Sequence, residues 1–249
     1  MNWYRTWEPL LAAERLIHGP ALVVAPHPDD EIAGCGGMII AHRRAGVPVD
    51  VVVMTDGARG NPTGAGGPDY TALRKEEVRR CAAIVGGFEA HFLEHPDGAL
   101  KERLEAAEDL ARIFHQVAPA TVFLPSPYEV HPDHRAACLL GMRALRRVSP
   151  GPRIYLYEVG AMMPANLLVD VTPYMVQKEK AMEVYFSQLM HQDMVGKIRA
   201  INRGRTINVD DPAVRYAEAY IRVEPERADT FLEAVENTLK VTDGMSPTP

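Results

Sequence analysis

The chain has 249 residues, 47% of them apolar, and a formal net charge of −6, with acidic and basic residues mixed along it rather than blocked. That length and apolar content suffice for one large α/β core, and the mixed, mildly acidic surface argues against a nucleic-acid or anionic-membrane partner. Cys35, Cys81 and Cys138 are odd in number, widely spaced and free of any CxxC pair, so they read as small buried thiols rather than disulfides or a zinc ribbon.

The first segment, Asn2 to Ile17, carries Trp3, Trp7, Leu10, Leu11, Leu16 and Ile17 among charges and reads as an entry helix packed on a sheet. It lacks a charged-then-apolar leader pattern, and no apolar run approaches the roughly 20 residues of a membrane span. A cytoplasmic protein is the expectation. Ala21 to Ala25 is a short apolar run that reads as a buried strand, broken by Pro26 and Pro28 where His27, Asp29, Asp30 and Glu31 are set out. Four ionisable groups in five residues cannot all be buried unpaired, because each unpaired carboxylate faces a large desolvation cost. A bound cation is the simplest remedy. The plainer reading, a turn whose Asp30 or Glu31 caps the next helix, uses one carboxylate and no histidine.

Gly36 and Gly37 then open a helix expected over Met38 to Ala45 and ended by Gly46. With Ile39 where a third glycine would fall, Gly34, Gly36 and Gly37 do not make a dinucleotide fingerprint. Pro48 to Thr55 is a second buried strand, and 57–69 is Gly- and Pro-rich, a candidate lid loop. Tyr70 to Val85 is helical by period and ended by Gly86 and Gly87, His91 to Leu93 is a short strand, and Leu100 to Val117 is an amphipathic helix. Thr121 to Pro125 is the next buried strand. This alternation predicts a Rossmann-like α/β fold, a mostly parallel sheet with helices on both faces, in a single domain.

His131-Pro132-Asp133-His134 therefore falls at the carboxyl end of a strand, as the first cluster does, and that edge is where open α/β sheets bind ligands. Pro132 suits the first turn of a helix running on through Leu145, which puts His131 and His134 about one turn apart and able to face one cavity. Ser149 to Pro152 breaks the chain. Ile154 to Val159 and Leu167 to Val171 read as later strands and Pro173 to Leu189 as a helix. Gly204 to Asp211, with Arg203 and Arg205 beside it, reads as a pocket loop, Ala228 to Val241 as a closing helix, and Thr242 to Pro249 as a loose tail.

A catalytic metal takes three protein ligands and leaves a position open, and His27, Asp30 and His134 would supply two imidazoles and a carboxylate. Asp29 is then free to act as general base on a metal-activated water. A protonated His131 can stabilise the oxyanion and assist a departing amine.

Ala-Pro-His-Pro-Asp-Asp-Glu at 25–31, Gly-Cys-Gly-Gly at 34–37 and His-Pro-Asp-His at 131–134 resemble the LmbE-like, or PIG-L, family of zinc-dependent de-N-acetylases. Thr55-Asp56-Gly57, Arg74 with Glu77 and Ala82-Ala83, Lys178, Lys180, Ala181, Tyr185 and Ser187 within 170–188, and Ala217-Glu218-Ala219-Tyr220 extend the likeness over about 20–222. The resemblance implies removal of an N-acetyl group from an N-acetylglucosamine-type amino sugar or its conjugate by attack of a zinc-bound water. It assigns His27, Asp30 and His134 as metal ligands, Asp29 as general base, His131 as oxyanion donor and Arg74 as a substrate contact. Asp56 is a candidate to hold a sugar hydroxyl or a ligand histidine. Nitrogen and oxygen donors also accept iron, cobalt or manganese, so zinc follows from the resemblance, as does a homo-oligomer. Another metallohydrolase on the same ligands, acting on a different amide or a phosphoester, or a non-catalytic sugar-binding relative, are the alternatives.

Overall fold

The computed structural model describes residues 10–61 and 68–244. In chain order they form β1 (Leu10–Ala12), β2 (Ala21–Ala25), α1 (Asp30–Arg44), β3 (Val49–Thr55), α2 (Pro68–Ile84), β4 (Glu89–His95), α3 (Ala106–Val117), β5 (Thr121–Pro125), α4 (Pro132–Leu145), β6 (Arg153–Tyr157), β7 (Leu167–Asp170), α5 (Met175–Met182), α6 (Phe186–Leu189), α7 (Met194–Gly204), β8 (Ala217–Val223) and α8 (Ala228–Gly244). The strands make one sheet in the order β1-β7-β8-β6-β5-β2-β3-β4. All neighbours pair in parallel except β8, which runs antiparallel to β6 and β7. Among the described residues no helix is long and apolar enough to cross a membrane.

β2 is apolar without a break because both its faces are covered, as a central parallel strand requires. Ala21, Val23 and Ala25 point into one core with residues of α1, α2 and α5, while Leu22 and Val24 point into the other with residues of α3, α4 and α8. β3 divides the same way, Val51 and Val53 against Val52 and Met54. Each such side chain contributes roughly 1.5–3 kcal/mol when fully buried, so the two cores fix the register of the central strands. From β2 the chain moves outward through β3 to β4, then crosses back to β5 and on to β6. The reversal leaves a crevice between the carboxyl ends of β2 and β5, where ligands bind in sheets of this kind.

Several boundaries differ from the sequence expectations. Residues 1–9 of the expected entry helix lie outside the described residues, and Leu10–Ala12 is an edge strand on β7 followed by a single 3-10 turn over Ala13–Leu16. α1 begins at Asp30, eight residues before the expected start, with the glycines inside it. They are packing residues: a Cβ on Gly34 would lie 2.1 Å from Tyr157 Cδ2, and one on Gly37 would lie 2.3 Å from Val171 Cγ1. In the expected loop, Ala58–Gly60 is a 3-10 turn, 62–67 lie outside the described residues, and α2 already starts at Pro68. The helix expected over 173–189 is broken into α5 and α6, between which Tyr185 turns fully inward. α7 and β8 were not anticipated as elements. The closing helix extends to Gly244, so the start of the expected tail is helical, and 245–249 lie outside the described residues.

Candidate metal centre and active site

Pro26 and Pro28 end β2 and throw His27 into the crevice, where its backbone N–H donates to Asp30 Oδ2 at 2.9 Å. Asp30 is the first residue of α1, where the helix dipole favours a carboxylate. His134 comes from the first turn of α4, on the far side of the crevice. Three atoms meet there. His27 Nδ1 lies 3.1 Å from Asp30 Oδ2, His134 Nε2 lies 3.2 Å from the same oxygen, and the two nitrogens are 3.2 Å apart. Donors held about 2.0–2.1 Å from a tetrahedral zinc are about 3.3 Å from one another, so this triangle fits such an ion.

The surrounding carboxylates prepare the histidines for that role. His27 Nε2 faces Asp97 Oδ1 at 3.2 Å and Asp133 Oδ2 at 3.3 Å, an arrangement that would hold the proton on this nitrogen when Nδ1 takes a cation. Asp97 is fixed by the Arg59 N–H at 2.9 Å, and Asp133 by the N–H groups of Gly98 and Leu100 at 2.7 and 3.0 Å. Glu129 Oε2 stands 3.6 Å from His134 Nδ1, too far for a hydrogen bond, and its oxygens accept the N–H groups of Val159 and Gly160. Burial alone would lower both histidines, but the carboxylates outweigh it: His27 is held well above its ordinary value by Asp133, Asp30 and Asp97, and His134 is raised to about 9 chiefly by Asp30. A field that keeps protons on two buried imidazoles is one that attracts a cation.

Asp29 stands beside this triangle with φ +117° and makes no side-chain cap to α1. Its N–H donates to Glu31 Oε2 at 3.0 Å, and its Oδ2 accepts from Arg74 Nη2 at 3.3 Å. Burial pushes the Asp29 carboxyl up to about 6, with Arg74 pulling it back. Arg74, only 2% exposed, also donates to the Pro28 carbonyl and to Ser187 Oγ. Glu31 is fully buried and accepts the Tyr185 hydroxyl on its other oxygen. His131 caps α4: its Nδ1 accepts the Asp133 N–H at 3.2 Å, which leaves the proton on Nε2. Burial and the neighbouring His27 and His134 hold His131 below the ordinary histidine range.

His27, Asp29, Asp30, Arg74, His131 and His134 all line one cavity of about 890 Å³. Asp56 does not line it. Its Oδ1 accepts the N–H groups of Ala58 and Asp97 at 3.0 and 3.1 Å, so it shapes the turn and reaches His27 only through Asp97. The far wall is α7, with Met194, Lys197, Ile198 and Ile201, and not the 204–211 segment expected to form it; Arg205 pairs with Glu158 instead. The sequence reading also left out Asp97, Asp133 and Glu129. Asp133 lies inside the His131–His134 motif itself, and Asp97 follows the end of β4 in a Pro-Asp-Gly turn, both visible signals of a carboxylate at a strand's ligand edge.

A family model described as PIG-L, GlcNAc-PI de-N-acetylase, matches residues 22–145. The diacetylchitobiose deacetylase of Thermococcus kodakarensis is 36% identical over 128 residues, which are 50% of this chain and 48% of that protein. The probable N-acetyl-alpha-D-glucosaminyl L-malate deacetylase 2 of Bacillus anthracis is 30% identical over 184 residues, 67% of this chain and 80% of that protein. Among solved structures, the N,N'-diacetylchitobiose deacetylase from Pyrococcus horikoshii, complexed with its inhibitor MPG, superposes with a TM-score of 0.73 at 30% identity over 83% of this chain and 84% of that one. The matched region holds both histidine-aspartate motifs and the strands β2 and β5 that carry them, and the chain belongs to the PIG-L, or LmbE-like, family of de-N-acetylases.

Proposed function

We propose that the protein is a metal-dependent hydrolase that removes the acetyl group from an N-acetylglucosamine-type amino sugar or its conjugate. One observation carries the reading. Three ligand atoms 3.1–3.2 Å apart face a cavity that also presents a buried carboxylate and a histidine, in a chain whose named relatives are deacetylases. His27, Asp30 and His134 would hold the ion, zinc by the family resemblance, and when bound it supplies a Lewis acid that polarises the amide carbonyl and acidifies water.

Asp29 accepts the proton of the water that attacks the carbonyl carbon. Its burial keeps it a stronger base than a solvated aspartate, and Arg74 keeps it ionised near neutral pH. The His131 Nε2–H donates to the oxygen on which negative charge develops. The proton held by Asp29 then passes to the amine nitrogen as the C–N bond breaks, so the products are acetic acid, which ionises to acetate, and a free amine. Arg74 orients Asp29, and as a residue lining the cavity it is a candidate to meet a sugar hydroxyl. A cytosolic location, from the sequence, and a homo-oligomer, from the family resemblance, complete the proposal; fractionation and light scattering test them.

The test is product release from a panel containing N-acetylglucosamine, its β-1,4 dimer, N-acetylglucosaminyl conjugates and phosphorylated sugars. Acetate from at least one N-acetyl sugar, abolished by a chelator and restored by zinc, is the expected result. Phosphate release without acetate would instead favour a phosphoesterase on the same ligands.

A further inference from the structure

We propose that Glu31, braced by Tyr185, is a positioning residue that holds Asp29 in its left-handed backbone conformation and so keeps the Asp29 carboxylate facing the cavity. The inference rests on the hydrolase reading above, since it concerns the base of that reaction.

An ordinary helix start has an extended N-cap residue whose own side chain accepts the N–H groups of the first turn. In the capping box, a Glu at the third helical position reaches back to the N-cap N–H. Asp29 occupies the N-cap of α1 but breaks both halves of this pattern. Its φ is +117°, a region that residues with a Cβ rarely adopt, and its side chain makes no cap hydrogen bond. The N–H it turns inward is met by Glu31 Oε2 at 3.0 Å, from the second helical position. Glu31 thus performs the backbone half of a capping box one residue early, and this leaves the Asp29 carboxylate free of capping duty.

Glu31 can do so because it is itself fixed. It is fully buried in the first turn of α1, and its Oε1 accepts the hydroxyl of Tyr185, also fully buried. Tyr185 lies in the turn between α5 and α6, so the C-terminal part of the chain supports the catalytic loop from behind. Arg74 completes the hold from the other side through the Pro28 carbonyl and Asp29 Oδ2. Without Glu31, Asp29 is free to relax to an ordinary N-cap, and its carboxylate would swing onto the helix N–H groups and away from the cavity.

The experiment compares Glu31→Ala, Glu31→Gln and Tyr185→Phe with the wild type as zinc-loaded full chains. We expect kcat to fall about tenfold to a hundredfold in Glu31→Ala, the scale of a misplaced catalytic group, with KM and zinc per chain unchanged. Glu31→Gln, which keeps one acceptor oxygen, and Tyr185→Phe fall less; these two carry the test if the alanine variant does not fold. A second readout needs no turnover. With 15N-aspartate labelling, the Asp29 amide should exchange slowly in the wild type and lose that protection in the Glu31 variants, metal-free or loaded. An Asp29 amide indifferent to Glu31, or a kcat that only tracks zinc content, overturns the inference. A wild type that releases no acetate removes the hydrolase reading, and the amide result still decides whether Glu31 holds Asp29.

Discussion

Asp29 and Arg74 meet at 3.3 Å inside the protein, and that contact governs the pH behaviour of the site. In the proposed mechanism Asp29 is the base and works only when ionised, so activity should be present above its pKa and fall as pH drops through it. Burial sets that value at about 6 against the pull of Arg74, and a bound cation pulls it lower still. The acid limb of kcat/KM should therefore lie at or below about pH 6 in the zinc enzyme, and Arg74→Gln, which removes the cationic partner, should move it to higher pH. A limb that stays in place in Arg74→Gln would disconnect the two residues. The cysteines make a separate prediction. Cys35, Cys81 and Cys138 are all buried, and burial pushes each thiol up, Cys138 to about 12. A thiol reagent at pH 8 should leave the native protein unlabelled and modify all three after unfolding. Rapid labelling of the native chain would show that one of these sites opens to solvent.

At the scale of elements, α1 is the most demanding piece of the molecule, because it must carry Asp30 at its start and still press close to Tyr157 of β6, to Val171 and to Lys178 of α5. Gly34 allows that approach: a Cβ there would lie 2.1 Å from Tyr157 Cδ2 and 2.9 Å from the Glu158 carbonyl oxygen. Gly34→Ala should cost about 1–3 kcal/mol by overpacking although alanine favours helices, and urea unfolding measures it; a stabilised variant would mean the helix has room to move. The same glycines explain why the start of α1 was misread, since poor helix formers hide a helix whose reason is tertiary packing. The central strands were readable because continuous Val, Leu and Ala runs have few other uses in a chain of this composition. β8 was not, because Glu218 and Tyr220 point into the core where an apolar pattern is expected. The two histidine-aspartate motifs were readable because each is compact in sequence. Glu129 and Tyr185 reach the site from outside those motifs, and no local pattern announces such an arrival.

Across the whole molecule, one buried network ties α1 to the C-terminal part of the chain. Glu218 of β8 accepts from Lys178 of α5 at 2.7 Å, from the Gly37 N–H of α1 at 2.6 Å and from the Tyr220 hydroxyl at 2.7 Å. Lys178 in turn reaches Asn202 of α7 at 3.0 Å, so the helix that forms the far wall of the cavity is linked to α1 through the Lys178–Glu218 pair. Removing one member of such a buried pair strands the other charge, and Glu218→Ala should destabilise the fold by about 3–5 kcal/mol in chemical denaturation. A loss below about 1 kcal/mol, the scale of a surface pair, would mean that water enters the network. The most direct test of the site as a whole is metal content and acetate release measured on the same preparations of wild type, Asp29→Asn and His134→Ala. Wild type should hold about one zinc per chain in its three-ligand site and release acetate. Asp29→Asn should keep the metal and lose about 10²- to 10⁴-fold in kcat, and His134→Ala should lose the metal. Full activity in Asp29→Asn, or metal retained undiminished by His134→Ala, would contradict the assignment of these residues.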